Sequence, residues 1–212
     1  MKTINIGSFL AIMTVLIAVL GCSKLGKFGA TNVSNDPGSL RSDEKRTYTE
    51  SGKEWASFDL DQTDMKVDLP AMAADKTPPM PPSYKEVFSA MHIYAFDDRD
   101  FTASFSELAP TGKRKWKIKE LADTSMTALK KQLPSLIYTL DVQSETNAKY
   151  NGSFTRNGKN FDLIGCCIYK KSDPARVWAV MALYPKDNAD ARAAGQRIID
   201  SVAFKGASET CR

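Results

Sequence analysis

The chain has 212 residues and a net charge of +4, one unit of which is Lys2 near the N-terminus, so the remainder carries +3. That is far from the concentrated basic footprint of a nucleic-acid binder, and a single histidine, His92, excludes a multi-histidine metal site. The hydrophobic fraction of 42% and charged fraction of 25% are those of a globular protein, with length for a leader and one self-sufficient core.

Residues 1–22 read MKTINIGSFLAIMTVLIAVLGC. Lys2 supplies a positive start, an apolar stretch follows from Ile4 to Leu20, and small Gly21 precedes Cys22. This is the order of parts in a secretory signal. The run Val19-Leu20-Gly21-Cys22 resembles the lipobox of bacterial lipoproteins, with Val19 where leucine is commoner. The resemblance implies that residues 1–21 are a signal peptide, that the Cys22 thiol receives diacylglycerol, and that the new amino group is acylated. The competing reading, an uncleaved anchor, has an apolar stretch at the short end for a spanning helix. Both place the rest of the chain outside the cytoplasm, in the periplasm or on the cell surface. Ser23 stands where an aspartate marks inner-membrane retention in the enterobacterial rule, which favours the outer membrane.

Residues 22–53 are rich in Gly, Ser, Asn, Asp and Lys and poor in large apolar side chains, the composition of a tether. A domain is expected over residues 54–205, followed by a tail at 206–212. Ala56 to Leu60 and Met65 to Leu69 alternate apolar and polar, as half-buried strands do. Five prolines within residues 70–83 predict a stiff extended loop. Strands are predicted at Met91–Phe96 and Phe101–Phe105, with a turn over Asp97, Asp98, Arg99 and Asp100. Those aspartates lack the glycine and closing glutamate of a calcium loop, and read as a solvated tip.

Lys113, Arg114, Lys115, Lys117 and Lys119 form a basic run suited either to an anionic surface or to a plain solvated face. Ile118, Leu121, Ala122, Met126, Leu129 and Leu133 recur at helical spacing, and Pro134 ends that helix. Further strands are predicted near 136–144, 150–156, 160–170 and 176–184, with Asn157-Gly158 as a type I′ turn. The last two are apolar on both alternating sets, so both faces of the sheet must be covered. A closing helix follows, with Asp187 or Asn188 as its cap and an apolar stripe of Ala191, Ala194, Gly195, Ile198, Ile199 and Val202.

The order of elements, closing on Ser201-Val202-Ala203-Phe204, resembles the PsbP/DcrB-like family of exported proteins over about residues 54–205. The resemblance implies an α+β fold, an antiparallel sheet covered by helices on both faces (an α/β/α sandwich). It also implies a non-catalytic helper of a larger assembly, and it transfers no functional residue.

No catalytic residue, metal or cofactor is expected. His92 reads as a packed strand residue, Trp55, Trp116 and Trp178 as core and rim, and no nucleophile elbow, phosphate loop or zinc motif occurs. The expected function is that of a lipid-anchored, non-enzymatic accessory or binding protein of the cell envelope. Its partners would be the membrane, through Cys22, and an envelope protein, but not nucleic acid. The alternatives are a small-ligand carrier with a pocket between sheet and helix, and an envelope hydrolase whose site assembles only in the fold.

Three cysteines remain once Cys22 carries lipid. Cys166 and Cys167 point to opposite faces of one strand. Cys211, on the tail, is expected to pair with whichever of them faces it, or to stay free on a frayed end.

Overall fold

The doubly apolar strands organise the molecule. The computed structural model describes residues 54–80, 82–86, 88–98, 101–112, 116–171, 175–206 and 210–211; the leader, Cys22 and the tether lie outside them. Strands β1 (Ala56–Asp59), β2 (Met65–Leu69) and β10 (Ala203–Phe204) form a three-stranded sheet in the order β1-β2-β10. The larger sheet runs β3-β4-β5-β9-β8-β7-β6. Its members are β3 (Ala74–Asp75), β4 (Phe88–Asp97), β5 (Thr102–Pro110), β6 (Ile137–Val142), β7 (Asn147–Arg156), β8 (Lys159–Lys170) and β9 (Arg176–Pro185). Every pairing in both sheets is antiparallel. The helices are short α1 (Pro82–Lys85), α2 (Ile118–Gln132) and α3 (Ala189–Ser201).

On one face of the large sheet, Phe161, Leu163, Cys167 and Tyr169 of β8 join Val177, Ala179, Met181 and Leu183 of β9. They share a core with Leu121, Ala122, Met126 and Leu129 of α2. On the other face, Cys166, Ile168, Trp178, Val180 and Ala182 meet Ala191, Ala194, Ile198 and Ile199 of α3, and also Met65, Val67 and Leu69 of β2.

The expected α/β/α sandwich is therefore corrected. Strands make up 49% of the described structure and helices 21%, and helical layers do not cover both faces of the sheet. The second face is shared between α3 and a second β-sheet. Apolar residues on both sides of a strand demand cover, but a sheet face supplies it as well as a helix. The proline-rich loop is also less uniform than expected. Ala74–Asp75 pairs with Ala95 and Tyr94 of β4, and α1 opens on Pro82, where its missing N–H costs nothing. Strands β4 and β5 run well beyond their predicted ends, to Phe88 and Pro110.

Local signals explain the joints. Asn157 and Gly158 take φ of 51° and 73°, both positive, as a two-residue type I′ hairpin requires. Leu133, φ −120° and ψ 78°, leaves the helical region before Pro134, while Lys130 and Lys131 sit at the favourable end of the α2 dipole. The Asn188 side chain accepts from the Ala191 N–H at 2.9 Å and starts α3. Gly165 admits a close crossing. A Cβ there would lie 2.3 Å from the Val180 carbonyl and 2.5 Å from the Tyr150 ring, whose hydroxyl donates to that same carbonyl at 2.8 Å.

Candidate functional site

The densest polar arrangement among the described residues lies between the two sheets. Glu107 of β5 is 1% exposed, so its charge must be paired or hydrogen-bonded. Strand register puts it opposite Trp178 of β9, and the Trp178 Nε1–H donates to Glu107 Oε2 at 2.6 Å. The Asp64 N–H, just before β2, donates to the same oxygen at 2.7 Å. Arg176 Nη1 pairs with the other oxygen, Oε1.

The network continues outward to half-buried groups. Arg176 Nε lies 3.5 Å from Asp64 Oδ2 and Lys170 Nζ 3.7 Å from the same oxygen. Lys170 also donates to the Lys205 carbonyl at 2.8 Å, and the Lys205 N–H donates to the Asp64 carbonyl at 2.8 Å. Phe204 of β10 stacks on Trp178 with centroids 4.3 Å apart. Two carboxylates face two cations, so the cluster is neutral. Each side of it comes from a different sheet: Glu107, Lys170, Arg176 and Trp178 from the large one, Asp64 and the β10 segment from the small one. Its evident chemistry is to clamp the sheets together.

A covalent link closes the same face. Cys211 is bonded to Cys166, with Cα atoms 5.7 Å apart, and both residues are buried. The Asn147 side chain donates to the Thr210 carbonyl at 2.7 Å, which holds the tail across β7 and β8. Cys167, on the opposite face, is a free buried thiol, and burial pushes its pKa up to about 12. It is therefore a small hydrophobe and not a nucleophile.

The other residues singled out in the sequence do not converge on one place. His92 is half-buried in β4 as the register partner of Glu107. Thr77 holds the Asp75 carboxyl below its usual range through side-chain and backbone hydrogen bonds, and His92 adds a smaller pull. Asp97 ends β4, and the Asp98 N–H donates to the Phe101 carbonyl; Arg99 and Asp100 lie outside the described residues. Lys113, Arg114 and Lys115 also lie outside them, while exposed Lys117 pairs with Glu120 at 2.9 Å ahead of α2. Trp55 sits beneath the Arg197 guanidinium at 4.2 Å, and Trp116 stacks beside Phe88. No group of acidic, histidine or cysteine residues that would hold a metal is found among the described residues. Nor is any helix among them long and apolar enough to cross a membrane.

The clamp itself was missed from sequence. Its one signal was a glutamate inside the apolar run Phe105-Ser106-Glu107-Leu108-Ala109, a position that demands a buried partner once the strand is extended past Phe105.

No protein-family model matches the chain, and no curated protein does. The resemblance to the PsbP/DcrB-like family thus gains no support from them. Among solved structures the chain is similar to LpqN of Mycobacterium tuberculosis, described as involved in cell envelope biogenesis. The identity is 15% and the TM-score 0.40, over 75% of this chain and 98% of that one. So loose a likeness assigns nothing to this chain.

Proposed function

We propose that the protein is a membrane-anchored bacterial lipoprotein, held by lipid on Cys22, whose folded domain serves as a non-catalytic accessory or binding module of the cell envelope. The observation that carries this reading is the ordered leader that ends in Val19-Leu20-Gly21-Cys22. Support for the non-catalytic half comes from the clamp. Glu107 is the buried carboxylate among the described residues, and both its oxygens are engaged by Arg176, Trp178 and the Asp64 backbone. A buried carboxylate held by three donors is tied to the fold and is poorly placed to take a proton from a substrate.

The domain would work at the end of its tether outside the cytoplasm, in the periplasm or on the cell surface. Labelling with a radioactive fatty acid, followed by fractionation of cells, tests the anchoring. Wild-type protein should carry label and sediment with membranes. Cys22→Ser protein should carry none. A Cys22→Ser protein that is still acylated would refute the reading.

A further inference from the structure

Sheet edges expose unpaired N–H and C=O groups, which proteins blunt with short strands, charges, prolines or cover. Three edges here follow that practice. Strands β3 and β10 are two residues long, and β3 runs on toward Pro78 and Pro79. Strand β1 has four residues, its Asp59 lies 3.3 Å from Lys205 Nζ, and the preceding Trp55 is capped by Arg197.

Strand β6 is different. Among the described residues it is a six-residue edge without proline, lysine or arginine, and its register with β7 is unbroken. Its one charge, Asp141, stands opposite Lys149 in register and accepts from the Gln143 side-chain amide. Tyr138 and Leu140 pack inward against the core and hold the strand in place. Ile137, 73% exposed, and Val142, 42% exposed, stand out on opposite faces. The Gln143 N–H donates to the Asn147 carbonyl at 2.9 Å, which sets the phase of the ladder. In an antiparallel pair that phase alternates. It turns the backbone groups of Ile137, Thr139 and Asp141 toward β7 and those of Tyr138, Leu140 and Val142 outward.

We propose that β6 accepts an extended segment of a partner polypeptide as an added strand, a segment uncharged at its centre with an apolar residue toward each end. The neutral edge sets that central chemistry, and Ile137 and Val142, at the two ends of β6 and on opposite faces, set the apolar positions. A second copy of this chain fits less well. Six residues at about 3.4 Å each give a strip about 20 Å long. Strand pairing along so short a strip stays well under the ~1,200 Å² of a stable dimer but suits transient peptide capture. This inference rests on the proposed reading as a binding module and names the surface it would use.

The test has two arms. In the first, backbone exchange of the folded domain, in the full mature chain, is followed with and without a blocked six-residue peptide of threonines with a valine at each end. Exchange at Leu140 and Val142 should slow while that at Thr139 stays as it was; no change at either would overturn the proposal. In the second, a photo-crosslinking residue replaces Thr139 in the lipid-anchored protein in living cells, and Thr127 on α2 in a parallel strain. An adduct with another polypeptide should form from position 139 and be lost in Val142→Pro and in Ile137→Lys/Val142→Lys, variants checked for unchanged thermal unfolding. An adduct that survives both, or one with the mass of two copies of this chain, would overturn the strand-addition proposal. Adducts from 127 with none from 139 would overturn it and leave the binding reading standing; none from either would overturn both.

Discussion

Glu107 and Trp178 face each other across β5 and β9, and the indole N–H of one is spent on the carboxylate of the other at 2.6 Å. With Arg176 on its second oxygen, Glu107 is a buried charge that depends on partners from separate stretches of chain. Removing one member of a buried pair leaves the other uncompensated, which typically costs about 3–5 kcal/mol. Arg176→Met should therefore destabilise the fold by about 3 kcal/mol, toward the low end because Arg176 is itself partly exposed. Glu107→Gln/Arg176→Met should recover part of that loss, since a glutamine oxygen still accepts from Trp178. Urea unfolding followed by tryptophan fluorescence measures both, and a double variant no better than the single one would contradict the pairing.

The Cys166–Cys211 bond closes a 45-residue separation. In the chain-entropy account such a loop is worth at most about 4 kcal/mol. Cys211→Ser should lower the urea midpoint under oxidising conditions and should abolish the further loss that wild-type protein suffers on reduction. A reductant effect of equal size in both proteins would show that the bond is not the source.

Tyr150 lies over Gly165, where a side chain would collide with the Val180 carbonyl and the tyrosine ring. Gly165→Ala should cost about 2–3 kcal/mol, the scale of overpacking in a tight core. Tyr150→Phe should cost about 1 kcal/mol for the lost hydrogen bond to Val180. Gly165→Ala in a Tyr150→Ala background should then be cheaper than in wild type; additive costs would place the clash elsewhere.

Burial keeps the Cys167 thiol protonated to a pKa of about 12, against 9.0 for an ordinary cysteine. Between those values the unfolded chain releases a proton that the folded chain keeps. Stability should therefore be fully present below about pH 9 and fall as pH rises toward 12, by up to ~1.4 kcal/mol per pH unit. Tyr150, also pushed upward by burial, adds a fall in the same direction above its ordinary range. Cys167→Ala should flatten the decline between pH 9 and 10, as read from urea midpoints, and native Cys167 should resist iodoacetamide at pH 8. An unchanged slope in the variant would remove Cys167 as its cause.

What could be read in the sequence was what short-range pattern encodes. The alternation of Phe161 to Tyr169 and Val177 to Leu183 announced strands covered on both faces, and Asn157-Gly158 and Leu133-Pro134 marked a turn and a helix end. The identity of the cover was not legible. Ala203–Phe204 is too short to show a period, yet its pairing with β2 completes the small sheet that displaces the expected helical layer. The Glu107 clamp was equally hidden, because its partner Arg176 is 69 residues away and only the fold brings them together. The edge at β6 needed strand order, which pattern alone does not supply.

The proposed lipid anchor would decide where all of this operates, and the mass of the mature N-terminal peptide tests it directly. Protein extracted from membranes with detergent should begin at Cys22 and carry a diacylglycerol thioether on that residue. A mature chain that starts elsewhere, or that starts at Cys22 with a free thiol, would contradict it.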